Sequence, residues 1–210
     1  MIRVLVVDSH PIVLKGIELF LNSRPDIHVV GTLGSSVEIF DFVRNKDVDV
    51  IVSEIDLPEL NGITAIRAIK KEYKSINALM FSNQPEEVYA VSVLKAGASG
   101  YLHKSATTDQ LEDAIRTVHK GDISLSPKMD KNLRYEDTRN TKNRLFKKLS
   151  SRELEVLKLL TIGRKNKEIS EELNINEKTV RTYKSRLFKK LNVSNIVELI
   201  NQAKHQNLTP

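Results

Sequence analysis

Two groups of side chains in this 210-residue chain could do chemistry. The first is Asp8, Glu54 and Lys104, each placed just beyond a short apolar run, with Ser9 and Ser82 in matching places. Carboxylates and an ammonium gathered at one end of a sheet suit phosphoryl chemistry, because they can balance charge on a transferring group. The second is a set of donors between Glu177 and Leu191. At about 100° per residue, Lys178, Arg181, Thr182, Ser185 and Lys189 share one sector, and Val180, Tyr183, Leu187 and Leu191 the opposite one. A helix with those faces can pack on a partner helix while presenting guanidinium, ammonium and hydroxyl groups to the major groove of DNA. The wheel alone also fits an amphipathic surface helix with solvated charge.

Both groups need elements to position them. Apolar runs at 2–7, 28–31, 48–53, 78–81 and 101–102 read as strands, and 11–23, 35–45, 62–73, 85–95 and 108–120 as helices. Strict alternation of this kind implies a doubly wound, five-stranded parallel sheet whose functional residues lie at the carboxyl ends of the strands. The second half reads as all-helical. Ser150-Ser151-Arg152-Glu153 is a capping box that opens a helix carrying Leu154, Val156, Leu157, Leu160 and Ile162, closed by Gly163. A shorter helix follows from Asn166, then a turn around Asn174 to Asn176, where Asn176 can cap the donor-bearing helix. Ser194 is the expected cap of a last helix with Ile196, Val197, Leu199 and Ile200.

The segments VLVVDSHP, IDLPELNG and KAGASGYLHK resemble those of the CheY-like receiver domain, with strand order 2-1-3-4-5. In that family two acidic residues after the first strand hold Mg²⁺, an Asp after the third strand accepts a phosphoryl group, and a Ser/Thr and a Lys contact its oxygens. The resemblance gives the last two roles to Ser82 and Lys104 and places Tyr101 at the switch aromatic; a plain core tyrosine is the alternative. Two positions depart from the pattern. The acceptor position holds Glu54, and Ser9 replaces the second acid, leaving Asp56 in the following turn as the nearest substitute. Mg²⁺ takes carboxylate oxygens, so binding at Asp8 is expected to be weak and no cofactor is assigned. The longer Glu54 side chain displaces a nucleophile by more than the roughly 1 Å that disrupts attack, so ordinary phosphorylation is not expected. Glu54 either holds the receiver in an active-like state through Ser82 and Lys104, or pairs with Lys104 in a pocket without a switching role. An engineered Asp-to-Glu change would explain Glu54 but not Ser9.

The stretch 149–193, LSSRELEVLKLLTIGRKNKEISEELNINEKTVRTYKSRLFKKLNV, resembles the NarL/LuxR-type DNA-binding domain without a gap. By that resemblance Arg181, Thr182 and Ser185 are candidates for base-edge contacts. Lys178, Thr179, Lys184, Arg186 and Lys189 are candidates for phosphate, with Lys165, Asn166 and Lys167 near the backbone; Lys184 lies toward the apolar sector, where it can snorkel. Val197 and Ile200 are candidates for pairing two such domains, with intradomain core as the alternative. The expected organisation is a receiver at 1–122, a linker at 123–148 and a helix-turn-helix domain at 149–210. Within the linker, 126–148 is mostly polar and basic, with Met129, Leu133, Tyr135, Leu145 and Phe146 as its apolar residues.

Charge agrees with this division. Residues 1–125 carry 13 Lys and Arg against 17 Asp and Glu, a net of −4, and residues 126–210 carry 20 against 10, a net of +10. A basic half suits phosphate neutralisation. Cysteine is absent, which excludes disulfides, thiolate nucleophiles and Cys-held metals. The apolar run at the N-terminus is too short for a signal peptide or membrane span, so a cytoplasmic protein is expected. The function expected is sequence-specific transcriptional regulation as a homodimer on double-stranded DNA, with another regulator or RNA polymerase as further candidate partners. One alternative is a docking protein that heterodimerises with another regulator. An enzyme is disfavoured by the altered metal position.

Overall fold

The computed structural model describes residues 1–134, 146, 148–205 and 208, which form two compact units. In the first, a parallel sheet has the order β2-β1-β3-β4-β5. Its strands are β1 (Ile2–Val7), β2 (Ile27–Leu33), β3 (Val50–Ser53), β4 (Asn77–Ser82) and β5 (Gly100–His103). The helices α1 (Pro11–Asn22), α2 (Glu38–Asn45), α3 (Gly62–Glu72), α4 (Glu86–Lys95) and α5 (Thr108–His119) alternate with them. Every residue of β3 is buried, as is nearly all of β1, which is why both read as unbroken apolar runs. Val4, Val6, Val50, Val52 and Leu79 pack with Ile17 and Leu21 of α1 and Leu111, Ile115 and Val118 of α5 into one core.

Several boundaries differ from the sequence reading. Residues 35–37 are not helical, because the Ser35 and Ser36 hydroxyls are drawn to the turn after β3: Ser35 donates to Glu59 (2.5 Å) and Ser36 to the Leu60 carbonyl (2.5 Å). Strands β2, β4 and β5 are longer than their apolar runs, since parallel pairing recruits neighbours of any polarity. The β4–β5 register, for example, continues through Ser82 opposite His103. The expected linker also differs: residues Pro127–Arg134 form a helix, α6. Met129 and Phe146, both counted as linker, are buried, with 1% and 2% of their surfaces exposed. Of the other apolar linker residues, Leu133 falls within α6, and Tyr135 and Leu145 lie outside the described residues.

The second unit contains α7 (Ser151–Thr161), α8 (Asn166–Glu172), α9 (Glu177–Leu191) and α10 (Ile196–Lys204). The Ser150–Glu153 capping box forms in both directions, and Gly163 has the positive φ (83°) that ends α7. Asn174 takes the left-handed conformation in the turn, and Asn176 caps α9 by accepting from Lys178 N–H (2.8 Å). Helix α9 packs on α7 and α8. The cap of α10 is Asn195 rather than Ser194: Asn195 accepts from Glu198 N–H (3.0 Å), while the Ser194 N–H and hydroxyl donate to the Glu198 carboxylate.

Candidate functional site

The sheet brings Asp8, Glu54, Ser82 and Lys104 to one end by backbone pairing. Asp8 N–H donates to Leu33 O (3.0 Å), Glu54 N–H to Val7 O (2.9 Å) and Lys104 N–H to Ser82 O (2.9 Å), so each residue is set by the strand beside it. Glu54 is held further by Gly62, where a Cβ would stand 2.0 Å from the Glu54 carbonyl oxygen; the first turn of α3 can approach this closely only as glycine.

The Lys104 ammonium lies between two carboxylates, 2.5 Å from Asp8 Oδ2 and 2.6 Å from Glu54 Oε2, with 10% of its side chain exposed. Burial opposes its charge, but the bonds to Asp8 and Glu54 outweigh burial and hold Lys104 above its ordinary pKa. The remaining carboxylate oxygens are also engaged. Glu54 Oε1 accepts from Ile55 N–H (2.5 Å) and Asp56 N–H (3.3 Å), and Asp8 Oδ1 accepts from His10 N–H (2.8 Å) and lies 2.9 Å from the His10 ring. Ser9 is exposed, with its hydroxyl 3.5 Å from His10 Nδ1. Ser82 is buried near these groups, and its hydroxyl accepts from Gln84 N–H (3.3 Å). Asp56, the nearest acidic substitute, accepts from the Gln84 side-chain amide (2.6 Å).

Tyr101 is 1% exposed, and its hydroxyl donates to the Gln84 carbonyl. Burial first, and the nearby Glu54 charge second, push the phenol well above its ordinary pKa, so it remains a donor. His10 and Gln84 were missed from the sequence. His10 had one available signal, a titratable ring two residues from Asp8; Gln84 had none.

On α9 the predicted division of faces is present. Val180, Leu187 and Leu191 are fully buried, while Lys178, Arg181, Thr182, Ser185, Arg186 and Lys189 are exposed. The Arg181 side chain is 71% exposed and reaches toward Glu177 (3.6 Å), one turn earlier. Thr182 donates to the Lys178 carbonyl (3.0 Å). Lys184 is half-buried with its ammonium 5.8 Å from the Phe188 ring, a snorkelling arrangement, and Thr179 is half-buried as well. Lys165 and Lys167 are exposed at the start of α8 beside half-buried Asn166. On α10, Val197 is 63% exposed, and Ile200 is half-buried.

A buried acid–lysine pocket at the switch end of a 2-1-3-4-5 sheet, followed by a four-helix unit with a donor-lined third helix, is matched in known proteins. Residues 4–116 match the response regulator receiver domain, and residues 147–203 match the luxR family of bacterial regulatory proteins. The chain belongs to the NarL/LuxR-type response regulators. The regulator is 34% identical over 213 residues to the oxygen regulatory protein NreC of Staphylococcus carnosus, covering 98% of both chains. It is similar to RcsB of Salmonella enterica serovar Typhimurium bound to promoter P1flhDC in the presence of phosphomimetic BeF3−, with 26% identity, a TM-score of 0.77 and coverage of 97% and 98%. A structure of two RcsB dimers bound to two parallel DNAs aligns at 26% identity and a TM-score of 0.70, over 96% and 97% of the chains. The regulator is thus a two-component response regulator with a LuxR-type DNA-binding domain, a transcription-regulator family and not an enzyme family. Among the described residues no helix is long and apolar enough to cross a membrane.

Proposed function

We propose that this regulator binds DNA as a homodimer through α9 and works without aspartyl phosphorylation of its receiver. The observation that carries the second part is the Lys104 ammonium, held between Asp8 and Glu54 at 2.5 and 2.6 Å. In a receiver the lysine meets a phosphoryl oxygen; here a carboxylate of the protein itself meets that lysine. An acceptor carboxylate tied to an ammonium and two backbone N–H groups is a poor nucleophile, because its lone pairs are already engaged.

Mg²⁺ does not fit the donors present. All four oxygens of Asp8 and Glu54 have protein donors beside them, Ser9 offers a neutral hydroxyl in solvent, and Mg²⁺ demands a near-octahedral set of oxygens, usually with carboxylate among them. The Lys104 ammonium supplies instead the positive charge that balances the two acids.

DNA binding is supported by the α9 geometry and by the promoter-bound and dimeric forms of RcsB. Arg181, Thr182 and Ser185 are assigned to base edges. Lys178, Thr179, Lys184, Arg186 and Lys189, with Lys165, Asn166 and Lys167, are assigned to the sugar-phosphate backbone. One helix in one groove reads few base pairs, so useful specificity calls for two half-sites and a dimer, with exposed Val197 and neighbouring Ile200 as the pairing surface.

The test is fluorescence anisotropy of untreated full-length protein on enriched genomic fragments, repeated with acetyl phosphate and Mg²⁺. Sequence-specific binding that the phosphoryl donor leaves unchanged is expected. Binding that strengthens with the donor would overturn phosphorylation independence, and binding without sequence preference would overturn the assigned reading face.

A further inference from the structure

After α5 the chain returns along the outer edge of β5. Ser124 N–H donates to Ser99 O and Ser124 O accepts from Tyr101 N–H, both at 2.9 Å, so that Ser124 adds a one-residue parallel bridge opposite Gly100. A side chain at position 100 would not admit it: a Cβ there would stand 2.7 Å from the Ser124 carbonyl oxygen. Two residues later, Ser126 N–H donates to the Glu86 carboxylate (2.9 Å). The Ser126 carbonyl then accepts from Met129 and Asp130 N–H, both at 2.9 Å, and its hydroxyl from Met129 N–H (3.2 Å), which starts α6.

The other side of Glu86 leads back to the pocket. Gln84, two residues earlier, accepts the Tyr101 hydroxyl with its carbonyl and donates its side-chain amide to Asp56 (2.6 Å), whose own N–H donates to Glu54 (3.3 Å). Glu54, Asp56, Gln84, Glu86 and Ser126 are therefore joined by hydrogen bonds of 2.6–3.3 Å and by the backbone from Gln84 through Pro85 to Glu86.

We propose that residues 123–126 form a strap that couples the start of α6 to the Glu54 pocket, with Gln84 and Glu86 as positioning residues. The Ser126 bond is charge-assisted and directional, so a displacement of Glu86 of about 1 Å takes it out of hydrogen-bond range. Gly100 keeps the strap on the sheet while this happens, and the change is delivered to the first turn of α6. The strap lies within the receiver unit and does not depend on how the regulator reads DNA.

The experiment is site-resolved amide hydrogen exchange on the full chain, comparing wild type with Glu86→Ala and Gln84→Ala. Glu86→Ala is expected to speed exchange at Ser126, Met129 and Asp130 by about tenfold or more, with β1 and β3 unchanged. Among the described residues Gln84 bonds to Ser82, Asp56 and Tyr101 and not to α6, yet Gln84→Ala is expected to speed the same three amides several-fold. Wild-type rates there in Gln84→Ala, with faster exchange in Glu86→Ala, would overturn the coupling and leave a local anchor. Wild-type rates in both would overturn the strap. If Glu86→Ala loosens β1 and β3, Glu86→Gln replaces it, keeping size and acceptor but not charge. Selective acceleration at Ser126 is then expected, and its absence counts against the proposal.

Discussion

At the scale of single residues, the pocket is governed by how charge is balanced once water is excluded. Lys104 shares its one positive charge between Asp8 and Glu54 in a setting where 10% of its side chain meets solvent. Removing one member of such a group leaves uncompensated buried charge, which costs about 3–5 kcal/mol. Lys104→Met is therefore expected to lower stability by about that much in chemical denaturation of the receiver, with part recovered by adding Glu54→Gln. A loss no greater than that of an exposed ion pair would mean that the pocket is solvated. The same geometry predicts which variant would take up a phosphoryl group. Glu54→Asp alone still lacks the second acid, whereas Ser9→Asp combined with Glu54→Asp rebuilds the carboxylate set that Mg²⁺ needs. Intact-mass measurement after acetyl phosphate and Mg²⁺ should find a phosphoryl group on the double variant and none on wild type; equal labelling of both would sink this account.

At the scale of elements, helix ends do much of the positioning. The Glu153 carboxylate closes the α7 capping box on Ser150 N–H (2.7 Å) and also receives the Lys190 ammonium from α9 (2.7 Å), so one acid joins two helices. Burial alone would raise the Glu153 pKa, but Lys190 and the Ser150 bonds outweigh it and hold the carboxyl below its ordinary value of 4.5. A folded-state pKa below the unfolded one gives stability that is complete above pH 4.5 and lost as the pH falls through the folded value. Exchange protection of α7 amides should therefore fall on acidification below that point. In Glu153→Gln this acid-dependent step should vanish and protection should be lower already at neutral pH. An unchanged acid profile in the variant would assign the step to another carboxyl.

At the scale of the whole molecule, the charge asymmetry sets how the regulator meets DNA. The excess of ten positive charges in residues 126–210 makes phosphate attraction a large, salt-dependent part of binding. Arg181→Ala is expected to cost about 1–3 kcal/mol on the preferred site and to relax preference at the base it contacts. Lys178→Ala should weaken binding to every sequence and reduce the salt slope by about one. Anisotropy titrations across salt concentrations separate the two, and equal loss of preference from both variants would refute the division of labour along α9.

The sequence alone determined whatever depends on local periodicity or on a residue's intrinsic chemistry. The fully buried strands β1 and β3 were legible as apolar runs, the Ser150 and Asn176 caps as side chains that satisfy free N–H groups, and the opposed faces of α9 as a helical wheel. The acceptor-position glutamate and the serine at position 9 were legible too, because those substitutions change charge and reach wherever they sit. Tertiary structure decided what depends on partners distant in sequence. Ser35 and Ser36 leave a helical pattern because the turn after β3 offers them acceptors, and β5 outgrows its apolar run because β4 lies beside it. Lys104 meets Asp8 as well as Glu54 only because the parallel strands β5 and β1 bring their carboxyl ends to the same end of the sheet. The strap on Gly100 is invisible to periodicity for the same reason: its bonds join backbone groups that only a folded sheet brings within 3 Å of each other.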